Sequence, residues 1–153
     1  MFVCTGNICR SAMAEYILKD RIEKEEELKQ KIEVFSAGTY AEDGDTPTYS
    51  AIEVMKESGI DMAHHKATNI RNSKIEAMDL ILCATKSHKD ALLYLYPNLS
   101  NKIYTIKEYV GYDKDNIDIK DPWGYDIEIY RFCEAELEAC IDLLIKKIKA
   151  FEK

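Results

Sequence analysis

Residues 3–11, VCTGNICRS, decide how this chain folds and where its chemistry lies. The run follows the short β-prone segment 1–3 and opens a helical pattern of apolar residues that begins at Ser11. Gly6 and Asn7 accept the positive φ that a tight loop often needs, and successive backbone N–H groups in such a loop form an anion-binding concavity. The run therefore predicts a strand, an anion-binding loop and a helix in succession.

Cys4 and Arg10 are the two chemically active ends of this loop. Five residues separate them, so the loop can curl and bring both side chains to one bound phosphate. Arg10 can grip two oxygens of a tetrahedral oxyanion, and the N-terminus of the following helix adds positive potential. The same field favours the thiolate of Cys4, to which Ser11 can donate a hydrogen bond. The loop thus predicts a cysteine that attacks phosphorus while the N–H groups hold the equatorial oxygens.

The rest of the chain alternates strand-like and helix-like segments. The pattern predicts strands at 1–3, 32–36, 79–84 and 102–105, and helices from Ser11 to about Lys29, from Thr46-Pro47 to Ser58, from 72 or 73 to 78, from 87 to 94 and from 126 to about 149. Such alternation implies a parallel sheet with helices on both faces. Ligands bind beyond the carboxyl ends of strands in these folds, which directs attention to the first strand-to-helix loop.

Composition limits the classes of partner. The chain has 153 residues, as one domain of ordinary size has, and a formal net charge of -7, which argues against nucleic acid and anionic membranes. Its apolar runs fall short of the ~20 residues of a membrane helix, and there is no secretory signal pattern. The 5 cysteines do not form a disulfide framework. We therefore expect a cytoplasmic protein.

The loop and three later segments together resemble the low-molecular-weight protein tyrosine phosphatases. The later segments follow in the family's order: Ser36-Ala37-Gly38-Thr39, His65-Lys66-Ala67 and Asp121-Pro122-Trp123. The resemblance covers most of the chain. It implies a single-domain α/β three-layer sandwich over residues 1–153, with a four-stranded parallel sheet in the order 2-1-3-4.

The resemblance also implies a role for each site residue. Cys4 would be the nucleophile, Arg10 the phosphate clamp, and Asp121 the general acid toward the leaving group and then the general base toward water. The loop residues that would bind phosphate are Thr5, Gly6, Asn7, Ile8, Cys9 and Ser11, and the network that would hold the loop in shape is Asn7, Ser11, Ser36 and His65. The family needs no metal or cofactor. Its partners would be a phosphorylated protein and, as product inhibitor, inorganic phosphate.

The identity of the phosphorylated side chain depends on Ile8. Residues 105–110, TIKEYV, are similar to a bacterial branch of the family that includes protein-arginine phosphatases. That branch typically has Thr at the position of Ile8, whereas tyrosine phosphatases typically have Ile. An Ile offers apolar contact to a phenyl ring, so Ile8 favours phosphotyrosine over phosphoarginine. Trp123, Tyr125 and Tyr40 are candidate aromatic walls for the ring.

Several residues admit more than one interpretation. Cys9 either protects Cys4 through a disulfide under oxidation or simply packs. Cys83, Cys133 and Cys140 are expected in the core. Among the histidines, His65 is expected beside the loop, and His64 and His88 at the surface.

Two other functions are compatible with the loop. Arsenate reduction on the same fold needs a relay of thiols, and residues 84–94 contain no cysteine to accompany Cys83. A non-catalytic phosphate-binding module needs no general acid, so the pair Asp121-Pro122 favours turnover. The sequence therefore predicts a protein-tyrosine phosphatase, with a protein-arginine phosphatase as the alternative.

Overall fold

Four short parallel strands form the centre of the computed structural model, which describes residues 1–151. They are β1 (Phe2–Cys4), β2 (Ser36–Gly38), β3 (Ile81–Cys83) and β4 (Ile103–Thr105). Their order is β2-β1-β3-β4, as predicted. In the register of the sheet, Cys4 lies opposite Gly38 and Val3 lies opposite Cys83. The chain therefore changes direction across the sheet at β1, and the loop after β1 lies at that switch point.

Five α-helices accompany the sheet. They are α1 (Arg10–Glu23), α2 (Tyr49–Glu57), α3 (Lys86–Leu95), α4 (Ile106–Val110) and α5 (Ile127–Phe151), and single 3-10 turns lie at Ile70–Asn72, Ile75–Ala77 and Pro97–Lys102. Among residues 1–151, no helix combines the length and apolar character needed to cross a membrane.

The two faces of the sheet bury two separate apolar cores because side chains alternate along each strand. Phe2 and Cys4 belong to the larger core, which includes residues of α1, α2 and α5. Val3 points the other way, into a core that includes Leu92 of α3. The nucleophile predicted from the sequence therefore projects toward the side of the sheet that carries α1 and α5.

Several predicted boundaries were wrong, and the helix predicted from 72 or 73 to 78 is only a 3-10 turn at Ile75–Ala77. The second strand is Ser36–Gly38, not 32–36, because β1 offers only Phe2–Cys4 as its partner. Helix α1 ends at Glu23, not near Lys29: the charged run that follows has no apolar stripe, and the chain turns back to bury Leu28.

The N-cap of α2 also differs from the prediction of Thr46. Thr48 is the N-cap, because its hydroxyl accepts a hydrogen bond from the backbone N–H of Ala51 at 3.3 Å. The backbone N–H of Thr48 in turn donates to the carbonyl of Ile8 at 3.2 Å. The start of α2 is thereby tied to the loop after β1.

Candidate active site

The loop between β1 and α1 wraps around the sulfur of Cys4. The backbone N–H of Ser11, in the first turn of α1, points at the Cys4 Sγ from 3.4 Å. The N-cap residue Cys9 makes no side-chain capping bond, so the first-turn N–H groups of α1 are not satisfied by a cap. An N-terminal helix end aimed at a thiol favours its charged form.

Ser11 also contacts the sulfur through its side chain. Its Oγ lies 2.9 Å from the Cys4 Sγ and accepts a hydrogen bond from the Nδ2 of Asn7 at 2.8 Å. Because Asn7 supplies the proton of that second bond, the hydroxyl proton of Ser11 has two acceptors within reach, the sulfur at 2.9 Å and the carbonyl of Ala37 at 3.3 Å. The arrangement can stabilise a thiolate, both as a nucleophile and as a leaving group.

Asn7 is the centre of the hydrogen bonds that shape the loop. Its φ is 57°, in the left-handed region expected for this loop, whereas Gly6 does not adopt a positive φ. Its Nδ2 donates to Ser36 as well as Ser11, both at 2.8 Å, and its Oδ1 accepts from the backbone N–H of Thr68 at 2.9 Å. Asn7 is fully buried, so these bonds replace all contact of its side chain with water.

A second set of hydrogen bonds, made by His65, Ser36 and Glu15, holds Asn7 and its partners in place. The Nε2 of His65 donates to the Asn7 carbonyl at 2.9 Å, and the hydroxyl of Ser36 donates to the Oε1 of Glu15 at 2.5 Å. Glu15 lies 3.9 Å from the other ring nitrogen of His65. Glu15 was not predicted from the sequence as a site residue, although a carboxylate one turn after Ser11 on a buried helix face was a usable signal.

Arg10 is buried, with 4% of its surface exposed, and it faces the segment that carries Asp121. Its Nη1 donates to the carbonyl of Ile119 at 3.0 Å, and its Nη2 lies 3.4 Å from the Oδ2 of Asp121. That segment is fixed to the sheet, since the backbone N–H of Ile119 donates to the Ala84 carbonyl at 2.8 Å. The cation and the half-exposed carboxylate therefore meet at one edge of the loop.

Ile8 and Cys9 differ in their exposure. Ile8 is half-buried and packs against the larger core. Cys9 is buried, with its Sγ 3.4 Å from the Tyr130 hydroxyl and 3.5 Å from the Thr48 hydroxyl, and burial raises the pKa of its thiol. Cys4 and Cys9 are both free thiols.

The three candidate aromatic walls are mostly exposed and adjoin the site through their backbones. Tyr40 is 84% exposed, and its N–H donates to the carbonyl of Thr5 at 3.0 Å. Trp123 is 63% exposed, and its N–H donates to the Oδ1 of Asp121 at 3.1 Å. Tyr125 has the Nζ of Lys120 over its ring, 4.4 Å from the ring centroid. The backbone of Tyr40 is thus bonded to the loop, and that of Trp123 is bonded to Asp121.

His88 is buried, and the expectation of a surface position was wrong. Its Nε2 lies 2.8 Å from the hydroxyl of Thr5, and its Nδ1 lies 2.8 Å from the hydroxyl of Thr85 at the start of α3. Burial, and next the charge of Arg10, lower its pKa to about 4. His64 is exposed, as expected.

The three remaining cysteines are in the core, as predicted. Cys83, Cys133 and Cys140 are at most 3% exposed. Burial raises the pKa of Cys83 and of Cys140 to about 12. They are therefore unreactive thiols that serve packing.

Both the sequence and the fold of this chain are similar to those of known proteins. A family model described as low molecular weight phosphotyrosine protein phosphatase matches residues 1–153. A protein-arginine-phosphatase of Geobacillus stearothermophilus is 38% identical over 97% of this chain and 95% of its own length. The solved YwlE arginine phosphatase from that organism matches 99% of this chain and 92% of its own with a TM-score of 0.88 at 38% identity. A solved low molecular weight protein tyrosine phosphatase from T. tengcongensis matches 95% of this chain and 96% of its own with a TM-score of 0.84 at 42% identity.

Proposed function

Since this chain belongs to the low molecular weight phosphotyrosine protein phosphatase family and is a hydrolase of phosphoric monoesters, we propose that it hydrolyses phosphotyrosine in proteins through a cysteinyl-phosphate intermediate. The observation that carries the proposal is the position of the Cys4 sulfur. It lies 2.9 Å from the hydroxyl of Ser11 at the N-terminal end of α1, in the loop whose Arg10 contacts Asp121 at 3.4 Å. This arrangement would bring together the nucleophile, the anion-binding loop, the arginine that holds the phosphate and the proton donor.

The first step transfers the phosphoryl group to the enzyme. The Cys4 thiolate attacks phosphorus, the P–S bond forms, and the bond to the phenolic oxygen breaks. Asp121 gives its proton to that oxygen, so tyrosine leaves as the neutral phenol. Arg10 and the loop N–H groups hold the three equatorial oxygens, where negative charge is concentrated.

The second step releases phosphate. Asp121, now a carboxylate, takes a proton from a water molecule that attacks phosphorus, and the P–S bond breaks. The sulfur leaves as a thiolate, which the hydroxyl of Ser11 stabilises by donating its hydrogen bond. Inorganic phosphate is the product and, because it fits the same loop, an inhibitor.

Ile8 supports phosphotyrosine as the substrate. It is a half-buried apolar side chain inside the loop, next to the site where the phosphate would bind. Tyr40 and Trp123 are exposed aromatic residues whose backbones are bonded to Thr5 and to Asp121, and their rings would offer apolar faces to a phenyl group.

Phosphoarginine is the second candidate, and one specific observation favours it. The arginine phosphatase of Geobacillus stearothermophilus is 38% identical to this chain over nearly the whole length of both. The chemistry at Cys4, Arg10 and Asp121 would be the same, since only the leaving atom changes from oxygen to nitrogen. A phosphorylated cytoplasmic protein is the proposed partner in either case.

The proposal is tested with Asp121→Asn, with Cys4→Ser as the inactive reference and Asp115→Asn as the matched control. Asp115 is an exposed carboxylate in the preceding segment. We expect Asp121→Asn to lower kcat on a phosphotyrosine peptide by ~10²–10⁴-fold, the usual loss when a general acid is removed, while phosphate still binds. Asp115→Asn should match the wild type. Unchanged turnover in Asp121→Asn would refute the assignment of the acid, and turnover in Cys4→Ser would refute the intermediate.

The choice of substrate is tested separately with peptides of one sequence that carry either phosphotyrosine or phosphoarginine. We expect the wild type to prefer phosphotyrosine and Ile8→Thr to lose that preference. A wild type that prefers phosphoarginine would show that Ile8 does not select the substrate.

A further inference from the structure

The segment that carries Asp121, the proposed general acid, has no regular structure of its own. Helix α4 ends at Val110 and α5 begins at Ile127, and the residues that the structure describes between them lie outside helices and strands. A general acid has to lie within hydrogen-bond reach of the leaving oxygen. Individual contacts must therefore hold this segment in the position that catalysis needs.

Ile119 provides the first anchor of the segment. Its backbone N–H donates to the carbonyl of Ala84 at 2.8 Å, and its own carbonyl accepts from the Nη1 of Arg10 at 3.0 Å. Its side chain is fully buried. A single anchored residue fixes a point in the chain but leaves the direction of the segment open, because the chain can rotate about that point.

Asp118 provides a second anchor next to the first. Its Oδ1 accepts the backbone N–H of Lys86 at 2.8 Å, and its own N–H donates to the Oδ1 of Asn116 at 3.2 Å. The donor to Asp118 is a backbone amide, so the direction of this hydrogen bond is fixed. The ammonium group of Lys86 lies 2.7 Å from the carboxylate of Asp90, so the side chain of Lys86 has another partner.

The N–H that Asp118 receives belongs to the first residue of α3. Thr85 is the N-cap of this helix, and its hydroxyl accepts the N–H of His88 at 3.2 Å, which leaves the N–H of Lys86 for Asp118. The helix dipole also favours a carboxylate at this end. Leu92 of the same helix is buried in the smaller core, so α3 is a fixed support. Asp118 and Ile119 together dock the segment on the junction between β3 and α3.

We propose that Asp118 is a positioning residue that sets the direction of this segment and so holds the carboxyl group of Asp121 within reach of the leaving oxygen. Asp118 lies three positions before Asp121. The direct contact between Asp121 and Arg10 is 3.4 Å long and half-exposed, so it restrains the carboxyl group only weakly. The inference rests on the proposed function, because it requires Asp121 to be the general acid.

The experiment measures how strongly turnover depends on the leaving group. For each variant, kcat/KM is measured on phenyl phosphate and on para-nitrophenyl phosphate, and the ratio of the first to the second is the readout. The nitro group stabilises the departing phenolate, so para-nitrophenyl phosphate needs the acid less than phenyl phosphate does. A purely structural defect lowers the amount of active enzyme, reduces both values together and leaves the ratio constant.

The variants remove either partner of the hydrogen bond. Asp118→Ala removes the acceptor, whereas Asp118→Asn keeps an acceptor oxygen without the charge. Lys86→Pro removes the donor, and proline suits the first position of a helix after a residue as extended as Thr85, with φ -137° and ψ 165°. Lys86→Ala loses the same side chain but keeps the N–H, so its comparison with Lys86→Pro measures the donor alone. Asp115→Asn is the matched control, because Asp115 is another exposed carboxylate of the segment.

We expect Asp118→Ala to lower the ratio by about 3- to 10-fold, the range of a single hydrogen bond. Lys86→Pro should lower it similarly relative to Lys86→Ala, and the double variant Asp118→Ala/Lys86→Pro should fall no further than Asp118→Ala. Asp118→Asn should stay within twofold of the wild type. A ratio within twofold of the wild type in Asp118→Ala, or equal losses in Asp118→Ala and Asp118→Asn, would overturn the inference.

Asp121→Asn separates this inference from the proposed function. It should lower the ratio more than any other variant, because it removes the acid itself. If it left the ratio unchanged, the assignment of Asp121 as the acid would fail, and the role of Asp118 with it. If it lowered the ratio and Asp118→Ala did not, only the role of Asp118 would be refuted.

Discussion

Replacement of Gly38 by Ala should damage catalysis more than stability. A Cβ at this position would lie 2.3 Å from the carbonyl oxygen of Thr5 and 2.9 Å from the backbone nitrogen of Asn7, both in the main chain of the phosphate-binding loop. The close approach arises because Gly38 pairs with Cys4 at the end of β2, where the chain passes over the loop. Neither contact can be relieved by a side-chain rotation, so the loop itself must move.

The size of the effect follows from these distances. An ordinary contact needs 3.4 Å, so the Thr5 carbonyl must retreat by about 1 Å. A displacement of that size in the reacting groups costs about 10²-fold in rate. Overpacking of a well-filled region costs about 1–3 kcal/mol of unfolding free energy, which a folded domain can tolerate.

The assay is kcat/KM on para-nitrophenyl phosphate beside urea denaturation, with Gly111→Ala as control. Gly111 has a φ of 75° and nothing within 4 Å of the added Cβ, so its replacement strains the backbone by about 1 kcal/mol at the C-cap of α4, outside the loop. We expect a similar loss of stability in both variants but a loss of kcat/KM only in Gly38→Ala. A Gly38→Ala enzyme within threefold of the wild-type kcat/KM would refute the reasoning.

Two further predictions concern buried polar groups. Asn7→Gly keeps a residue that accepts the φ of 57° but removes the hydrogen bonds to Ser11, Ser36 and Thr68. We therefore expect the free energy of unfolding, measured by urea denaturation, to fall by about 2–3 kcal/mol and kcat to fall strongly. A loss of unfolding free energy below about 0.5 kcal/mol would contradict the role of the side chain. Burial raises the pKa of Glu134 from 4.5 to about 7, so the folded state binds this proton more tightly than the unfolded state, and the group's contribution to stability is lost as pH rises through that window. Glu134→Gln should therefore raise the unfolding free energy by about 1 kcal/mol at pH 8 and by little at pH 5, and an equal gain at both pH values would show that titration of Glu134 is not the cause.

The sequence was most informative where the chemistry is local. The loop at residues 3–11 contains its strand end, its residue for positive φ, the proposed nucleophile and the proposed phosphate clamp within nine positions, so each could be predicted without knowledge of the fold. The strand order followed from the family resemblance, and the alternation of elements gave the parallel sheet. The placement of Asn7 at φ 57° is one such local prediction that the structure confirms.

The sequence was least informative where distant segments meet. Thr5 and His88 are 83 positions apart, and only the packing of α3 against β3 and β4 brings them together. Gly38 was visible as part of a motif, but the reason for glycine is its contact with Thr5, which no periodicity encodes. The end of β2 likewise depends on where β1 ends, because the two strands pair, and neither segment alone indicates how far that pairing extends.

Under the proposed function, an acidic protein binds phosphate by confining positive potential to a short range. The chain has a net charge of -7, yet the candidate site needs only backbone N–H groups, the N-terminal end of α1 and one buried guanidinium, that of Arg10. Backbone dipoles lose their effect within the first turn of a helix, so they hold a phosphate that has entered the loop without drawing polyanions from a distance. The carboxylate of Asp121, 3.4 Å from Arg10, shortens the range of the positive potential further, because its negative charge partly cancels that of the guanidinium on the solvent side. Discrimination among phosphorylated side chains must then come from direct contacts with residues of the loop and its surroundings, of which Thr5 is exposed and Ile8 is half-buried.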